Sequence, residues 1–448
     1  MRGVDKVNEF SLGKYEMVYT LKQITPMIHF QHGESGTTLR ASEVKPKLDR
    51  FIIDCFGGVN KLSEKHSDWI DIEHKSLMYK MKFDVRNQEP KKSDTAEAKI
   101  SGIKPKTEIC KSYFGNMVQG NDSTLIREKY KETVMYENEI EMTIISKYDD
   151  LISEISKHII EFFLLHNFGT RQNKGFGSFM ITEIDSKPKI YDAKKRLIEY
   201  GVKDFFYINY DKPGLQKQKL NDIALIYDFM KGGINYKRKE KDKNDYFRGY
   251  IFRYFHDKEI GNDKAFIKQE VLAEQHKSNK RGEKKCTTEP FRYVRGLLGI
   301  CDVMNFRYGN AHIHNFEGIE RFASPILFKV VDKYTLIIPQ VIPNKLFGAT
   351  FYILDGKITK EVFEESPQKY DKFKIQIPLK DELAKMYDLP KDSDVSQIWL
   401  VEFLNEFRKD FNDKSSKKGG EFSIKEAQNF KLRIAKTLII EKAGECND

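Results

Sequence analysis

An α+β chain is what this sequence predicts, and three observations carry the prediction. Stretches with strand alternation and stretches with helical periodicity follow one another as strand, loop, helix, hairpin, strand, helix, glycine loop and strand up to Phe179. The join between the last of these helices and the last strand, Asn167-Phe168-Gly169-Thr170-Arg171-Gln172-Asn173-Lys174-Gly175-Phe176-Gly177-Ser178-Phe179, holds three glycines and two cations. The length, 448 residues, is too great for one small core and fits two domains or three; the division taken is 1–200 and 201–448. The β-α-β-β-α-β order is that of a ferredoxin-like (RRM-like) unit, a fold whose sheet face serves as an RNA platform.

Each element has its own signal. Tyr15 to Ile24 is rich in aromatic and branched residues and reads as a strand that Thr25-Pro26 ends. His29 to Thr38 is a polar loop with two glycines. Leu39 to Phe56 follows as an amphipathic helix with Val44, Leu48, Phe51, Ile52 and Cys55 on one face. Pro46 is tolerated in a first turn, so the helix proper is expected to begin near Val44 or Lys45. Trp69–His74 and Leu77–Val85 alternate as the arms of a hairpin, and Asn87 to Gly102 is a polar insertion. Glu139–Ile145 is a half-buried strand; Asp149–His166 is a helix that buries Leu151, Ile155, Ile159, Phe162 and Phe163. His158 and His166 flank that stripe as packed histidines rather than ligands.

Lys203–Tyr210 begins a second unit as a strand. Lys231–Asp245 and Lys277–Lys285 read as exposed connectors, because charge runs interrupted by acidic residues are usually solvated. Phe328–Pro339 reads as a strand, and Ile398–Phe411 and Phe422–Ala443 as closing helices.

Lys and Arg number 77 against 67 for Asp and Glu, and the +10 balance favours a polyanionic partner. The first nine residues carry charge where a signal peptide needs an apolar run, and no stretch approaches the roughly 18–20 apolar residues that span a bilayer. The five cysteines are scattered and odd in number, without a C-x-x-C pair, which argues against a disulfide framework or structural zinc and for a reducing cytoplasm.

The candidate contacts are those of a phosphate site. Glycines allow close backbone approach, so amides of the 169–177 turn, flanked by Arg171 and Lys174, are expected to cradle a phosphate chain, with Phe176 packed inward or stacked on a base. The first helix offers its N-terminus with Arg40, Lys45, Lys47 and Arg50 close by; a solvated helix face explains the same charges equally well. Phe291-Arg292-Tyr293-Val294-Arg295-Gly296 interleaves aromatics with arginines, as base stacking beside phosphate contact requires, and also as a buried helix with snorkelling cations would.

These residues resemble the RAMP superfamily of CRISPR proteins, whose mark is a glycine-rich loop between the last helix and last strand of a ferredoxin-like fold, here Gly169 to Gly177. Thr25-Pro26 followed by Leu39-Arg40-Ala41-Ser42-Glu43-Val44-Lys45 is similar to the first, two-RAMP-domain subunit of the type III-B (Cmr) effector complex. Arg321-Phe322-Ala323-Ser324-Pro325-Ile326-Leu327-Phe328-Lys329 resembles that family's second-domain R-x-x-S-P-x-x-x-K/R element. The resemblance covers about 25–50, 162–184 and 290–331; Met27 to His32 departs from it, being longer and poorer in glycine.

The resemblance implies a non-catalytic subunit that binds guide RNA, target RNA or both beside other effector subunits, with no cofactor, no metal and no membrane. The expected RNA contacts are His29, Gln31, Arg40, Lys45, Arg50, Gly169, Arg171, Lys174, Gly175, Phe176, Gly177, Arg292 and Arg295. An alternative of a different class is a metal-independent endoribonuclease using His29 and His32, since imidazoles titrate near neutrality and RNA carries its own nucleophile in the 2′-hydroxyl. His312-x-His314 invites a metal reading without an evident third ligand, and no P-loop, zinc finger or G-x-S-x-G sequence occurs.

Overall fold

The structure is a computed structural model that describes residues 15–27, 39–85, 139–210, 216–237, 244–273, 290–306, 309–315, 318–319, 321–390, 395–416 and 438–444. It divides into two compact units, 1–203 with 329–332, and 204–328 with 333–448. Both mix helices and sheets, so the chain is α+β.

In the first unit β1 (Glu16–Gln23) is followed by α1 (Ala41–Cys55), β2 (Lys80–Val85), β3 (Ile140–Ile145), α2 (Asp149–Leu165), β4 (Phe179–Ile184) and the short β5 (Lys187–Pro188). The sheet order is β2-β3-β1-β4-β5, with β1 antiparallel to both β3 and β4. Ile140, Met142 and Ile144 alternate inward from β3, and Tyr19 and Leu21 from β1, because side chains of a strand leave on opposite faces every second residue. Val44, Leu48 and Ile52 of α1, and Leu151, Ile155, Ile159, Phe162 and Phe163 of α2, are also buried and form the helical layer.

Three readings need correction in this unit. Helix α1 begins at Ala41, so Pro46 lies in its second turn; the first four amides have no intrahelical partner in any case, and proline there forfeits little more than one further bond. The arms of the expected 69–86 hairpin do not pair as one ladder: Ile70–Asp71 pairs with Ser76–Leu77, while β2 turns to β3, where its alternation meets a longer apolar partner. The polar insertion at 87–102 lies outside the described residues.

The second unit holds two larger sheets. One joins β6 (Phe206–Asn209), β13 (Ile326–Val330), β14 (Tyr334–Pro339) and β17 (Glu441–Lys442) in the order β13-β14-β6-β17. The other joins β9 (Gly261–Asn262), β10 (Phe291–Arg292), β11 (Val303–Phe306), β12 (Gly309–His314), β15 (Thr350–Asp355) and β16 (Lys374–Gln376) in the order β9-β10-β16-β15-β12-β11. The stretch expected as one strand at 328–339 is two strands, and the expected connector at 231–245 contains a ladder of β7 (Ile234–Lys237) with β8 (Asn244–Phe247). Beyond it lie α3 (Tyr250–His256) and the one-turn α4 (Asp263–Phe266); α5 (Val395–Ser416) outruns its expected ends. The last expected helix is corrected where it is described, since Glu441–Lys442 forms a strand edge on Phe206 and Tyr207. Among the described residues no helix is long and apolar enough to cross a membrane.

Candidate nucleic-acid interface

Three stretches far apart in the chain converge on the glycine turn of the first unit. Helix α2 ends where His166 adopts an extended backbone, and the turn Asn167–Ser178 leads from there to β4. The Lys329 ammonium, fully buried, donates to the carbonyls of His166 (2.9 Å) and Phe179 (3.0 Å), the residues on either side of the turn. The Thr25 hydroxyl donates to the Gly175 carbonyl (2.6 Å) and accepts from the Ser178 amide (2.9 Å), while the Gly177 amide donates to the Pro26 carbonyl (2.8 Å). The Ser178 hydroxyl donates to the Val330 carbonyl (2.6 Å). Thr25-Pro26 and Lys329-Val330 thus supply the scaffold that holds the turn.

Helix α1 grips the same turn from its first half. The Glu43 carboxylate accepts from the Gly169 amide (2.5 Å), and the Lys47 ammonium donates to the Asn167 carbonyl (3.0 Å) and the Gln172 amide oxygen (2.6 Å) over the Phe168 ring. Burial lowers the Lys47 pKa, and the Glu43 charge opposes that shift.

These bonds correct the picture of an amide cradle. The amides of Phe168, Gly169, Lys174, Gly175, Gly177 and Ser178 donate to Gly177, Glu43, Arg171, Gln172, Pro26 and Thr25 respectively, so the turn satisfies most of its own backbone. Phe176 is 7% exposed and stands in the core, not on a stacking surface. Gly175 and Gly177 are buried at φ values of 84° and 65°, where their lack of a Cβ shapes the turn. Arg171, itself at a left-handed φ of 56°, and Lys174 are both half-buried on the turn. Arg40 caps α1, and Arg50 is exposed on it.

Lys45, Arg292 and Arg295 also need correction as free phosphate contacts. The Lys45 ammonium donates to Asp49 (2.7 Å) and the Leu77 carbonyl (2.9 Å). Arg292 makes a forked pair with Glu382, Nη2 donating to Oε1 at 2.7 Å and Nε to Oε2 at 2.9 Å. Arg295 gives its Nε (2.5 Å) and its main-chain amide (3.2 Å) to the buried Asp263. His29, Gln31 and His32 lie outside the described residues. His312 and His314 leave β12 toward a cavity of about 580 Å³ in the second unit, with ring centroids 6.4 Å apart and His314 stacked on Phe363.

Sequence reasoning placed Lys47 near the first-helix phosphate site but left it, with Glu43 and Lys329, out of the expected contacts. Lys45 and Lys47 differ by about 200° around a helix axis, so only one of them faces the turn, and charge alone does not say which. Glu43 and Lys47 stand four residues apart on one face, the signal by which the pair was findable. Replacing Lys329 by Met, of similar length, leaves two carbonyls unpaired; we expect a loss of about 2–4 kcal/mol in unfolding free energy, checked by urea titration, whereas Lys329→Arg recovers part of it.

His166 reports the charge around the turn. Burial chiefly, then the charges of Lys47, Lys329 and Arg50, take its pKa from 6.5 down to about 4, against the opposing bond from its Nδ1 to the Phe162 carbonyl. The unfolded chain therefore binds a proton between these values that the folded chain refuses. The stability this gives is complete above pH 6.5 and falls as pH drops toward about 4, by up to about 3 kcal/mol. His166→Phe, which suits the rings of Phe51 and Phe162 beside it, should flatten the acid limb of a stability-versus-pH curve; an unchanged slope would remove His166 as its source.

A split β-α-β-β-α-β unit, with a glycine-rich turn between its second helix and the closing strand, defines the RAMP class of CRISPR proteins. The chain belongs to the Cmr1 family: residues 14–234 match the Cmr1 N-terminal domain, and residues 246–431 match the Cmr1 C-terminal domain. Solved structures it resembles include the apo crystal structure of Cmr1 from Pyrococcus furiosus, at 13% identity over 74% of this chain and 90% of that one, with a TM-score of 0.35. A chain of the type III-B Cmr-beta complex bound to cognate target RNA aligns at 13% identity over 80% and 98%, with a TM-score of 0.31. An RAMP protein described as binding different RNA substrates aligns at 9% identity over 78% and 90%, with a TM-score of 0.19. No curated protein matches the chain.

Proposed function

We propose that this chain is a non-catalytic RNA-binding subunit of a type III-B CRISPR (Cmr) ribonucleoprotein effector, built of two RAMP domains and holding guide RNA, target RNA or both beside other effector subunits in the cytoplasm. The observation that carries this reading is the convergence on one turn of Thr25-Pro26, the first half of α1 and Lys329, with Arg171 and Lys174 on the turn itself and Arg40 and Arg50 on α1. Membership of the Cmr1 family supports it from the sequence side. A rigid turn carrying cations on its rim suits a phosphodiester chain, because phosphate contacts set register and supply most of the affinity without reading bases.

The test is a filter-binding titration of the purified chain with labelled single-stranded RNA containing a CRISPR repeat, at several salt concentrations, followed by electrophoresis of the recovered RNA. Retention that weakens steeply with salt, and RNA recovered intact, is the expected result. Cleavage that disappears in His29→Ala or His32→Ala would put the endoribonuclease reading in its place. Absence of retention at any salt would leave a protein-only scaffold.

A further inference from the structure

Strand β12 of the second unit carries two histidines in alternate positions, His312 and His314. Residues two apart on a strand leave the same face, so both rings project from one side of the sheet. The strand is paired with β11 on one edge and β15 on the other, which makes it a firm mount. Both histidines are half-buried and line the cavity of about 580 Å³, with ring centroids 6.4 Å apart and ring planes at 71°. Phe363 backs His314, its centroid 5.1 Å away and its plane at 28°, and so fixes one face of that ring. Among the described residues neither imidazole has a hydrogen-bond partner, and the His314 Nε2 is buried without one.

The charged groups that line the same cavity are committed to one another. Asp302 accepts from Arg321 at 2.6 Å and 3.2 Å, and Glu364 stands 3.8 Å from Lys360 on the helix Lys360–Glu365. Two acids thus offset two bases, and what the lining leaves without a partner is imidazole nitrogen. A buried ring nitrogen with no partner costs stability that a suitable ligand restores.

Neutral imidazole is a good donor to borderline divalent transition ions, and two such rings on one strand face can hold a single ion at two points. Zinc–nitrogen bonds of about 2.0–2.1 Å place the centroids of two rings on one tetrahedral ion about 5 Å apart. From the observed 6.4 Å that is a short closure, which rotation of the two side chains supplies. Among the described residues no three His, Cys, Asp and Glu side chains stand together as a ligand set, so the remaining coordination positions are left to water. We infer that His312 and His314 form a two-point binding site for a divalent transition ion of the zinc kind. The inference stands independently of the RNA-binding reading.

The test is calorimetric titration of the untagged full chain, stripped with EDTA and desalted, with zinc chloride at pH 7.5 and in parallel with magnesium chloride. It is run in the His29→Ala, His32→Ala background, so that the other histidine pair adds nothing to the readout. We expect one zinc equivalent to bind in the micromolar range and magnesium, which prefers oxygen donors, not to bind. Saturating zinc should raise the melting temperature by about 3 °C or more, because the ion binds the folded unit. Zinc affinity should fall at least tenfold in His312→Gln and in His314→Gln. Absence of zinc binding, equal binding of magnesium, or zinc affinity unchanged in His312→Gln would each overturn the inference. Circular dichroism confirms that the variants keep the fold, and His314→Gln stands in if His312→Gln fails to fold.

Discussion

Charge reversal at both cations of the glycine turn, Arg171→Glu with Lys174→Glu, is expected to weaken binding of single-stranded RNA at least about a hundredfold at moderate salt and to make its salt dependence shallower. Each phosphate neutralised on a single strand contributes about −0.7 to the slope of log affinity against log salt. Losing two such contacts therefore lowers the magnitude of the slope by roughly 1.4. Repulsion between the new carboxylates and the strand enlarges the loss at low salt, where screening is weakest. Thr25, Glu43, Lys47 and Lys329 each bond to the backbone or side chains of the turn, and these bonds remain in the double variant. Filter binding at four salt concentrations, with thermal unfolding as the control, measures both effects. Equal affinity in the double variant would take the turn out of RNA contact.

The second large effect concerns the turn's architecture. Gly177 holds φ at 65°, and a Cβ there would sit 1.8 Å from the Phe168 carbonyl oxygen and 2.8 Å from its carbon. That oxygen belongs to backbone fixed on both sides, so no side chain can swing away to relieve the clash. Gly177→Ala should cost about 3 kcal/mol or more, which for a unit of this size lowers the melting temperature by roughly 6–12 °C. Gly201→Ala is the matched control: its φ is 97° but nothing lies within 4 Å of the added carbon, so only the strain of the backbone remains. That cost is about 1 kcal/mol. Equal melting temperatures for the two variants would show that the turn opens to admit the methyl group.

Much of the first unit was legible from periodicity. The inward residues of α2 follow a 3.6-residue repeat and those of β3 a two-residue repeat, and each repeat is a local property that needs no knowledge of partners. The hairpin at 69–86 was misread because β2 and the Ser76–Leu77 strand share one alternating run. Alternation says that a segment is a strand, but not which strand completes its ladder. Phe422–Ala443 was misread at its end for a similar reason: Glu441–Lys442 is a strand because the edge of Phe206 and Tyr207 offers it hydrogen bonds.

The candidate site divides the same way. By itself the sequence determined that a glycine-rich turn with two cations joins helix to strand, since glycine content and charge are written residue by residue. Only the tertiary structure decided which cations border that turn and which are committed elsewhere: Lys47 and not Lys45 reaches it, Arg292 goes to Glu382, and Lys329, some 150 positions away, fastens its two ends. The physical reason is that a charged group's role depends on the nearest opposite charge or open carbonyl in space, and long-range folding places those partners where no local repeat records them.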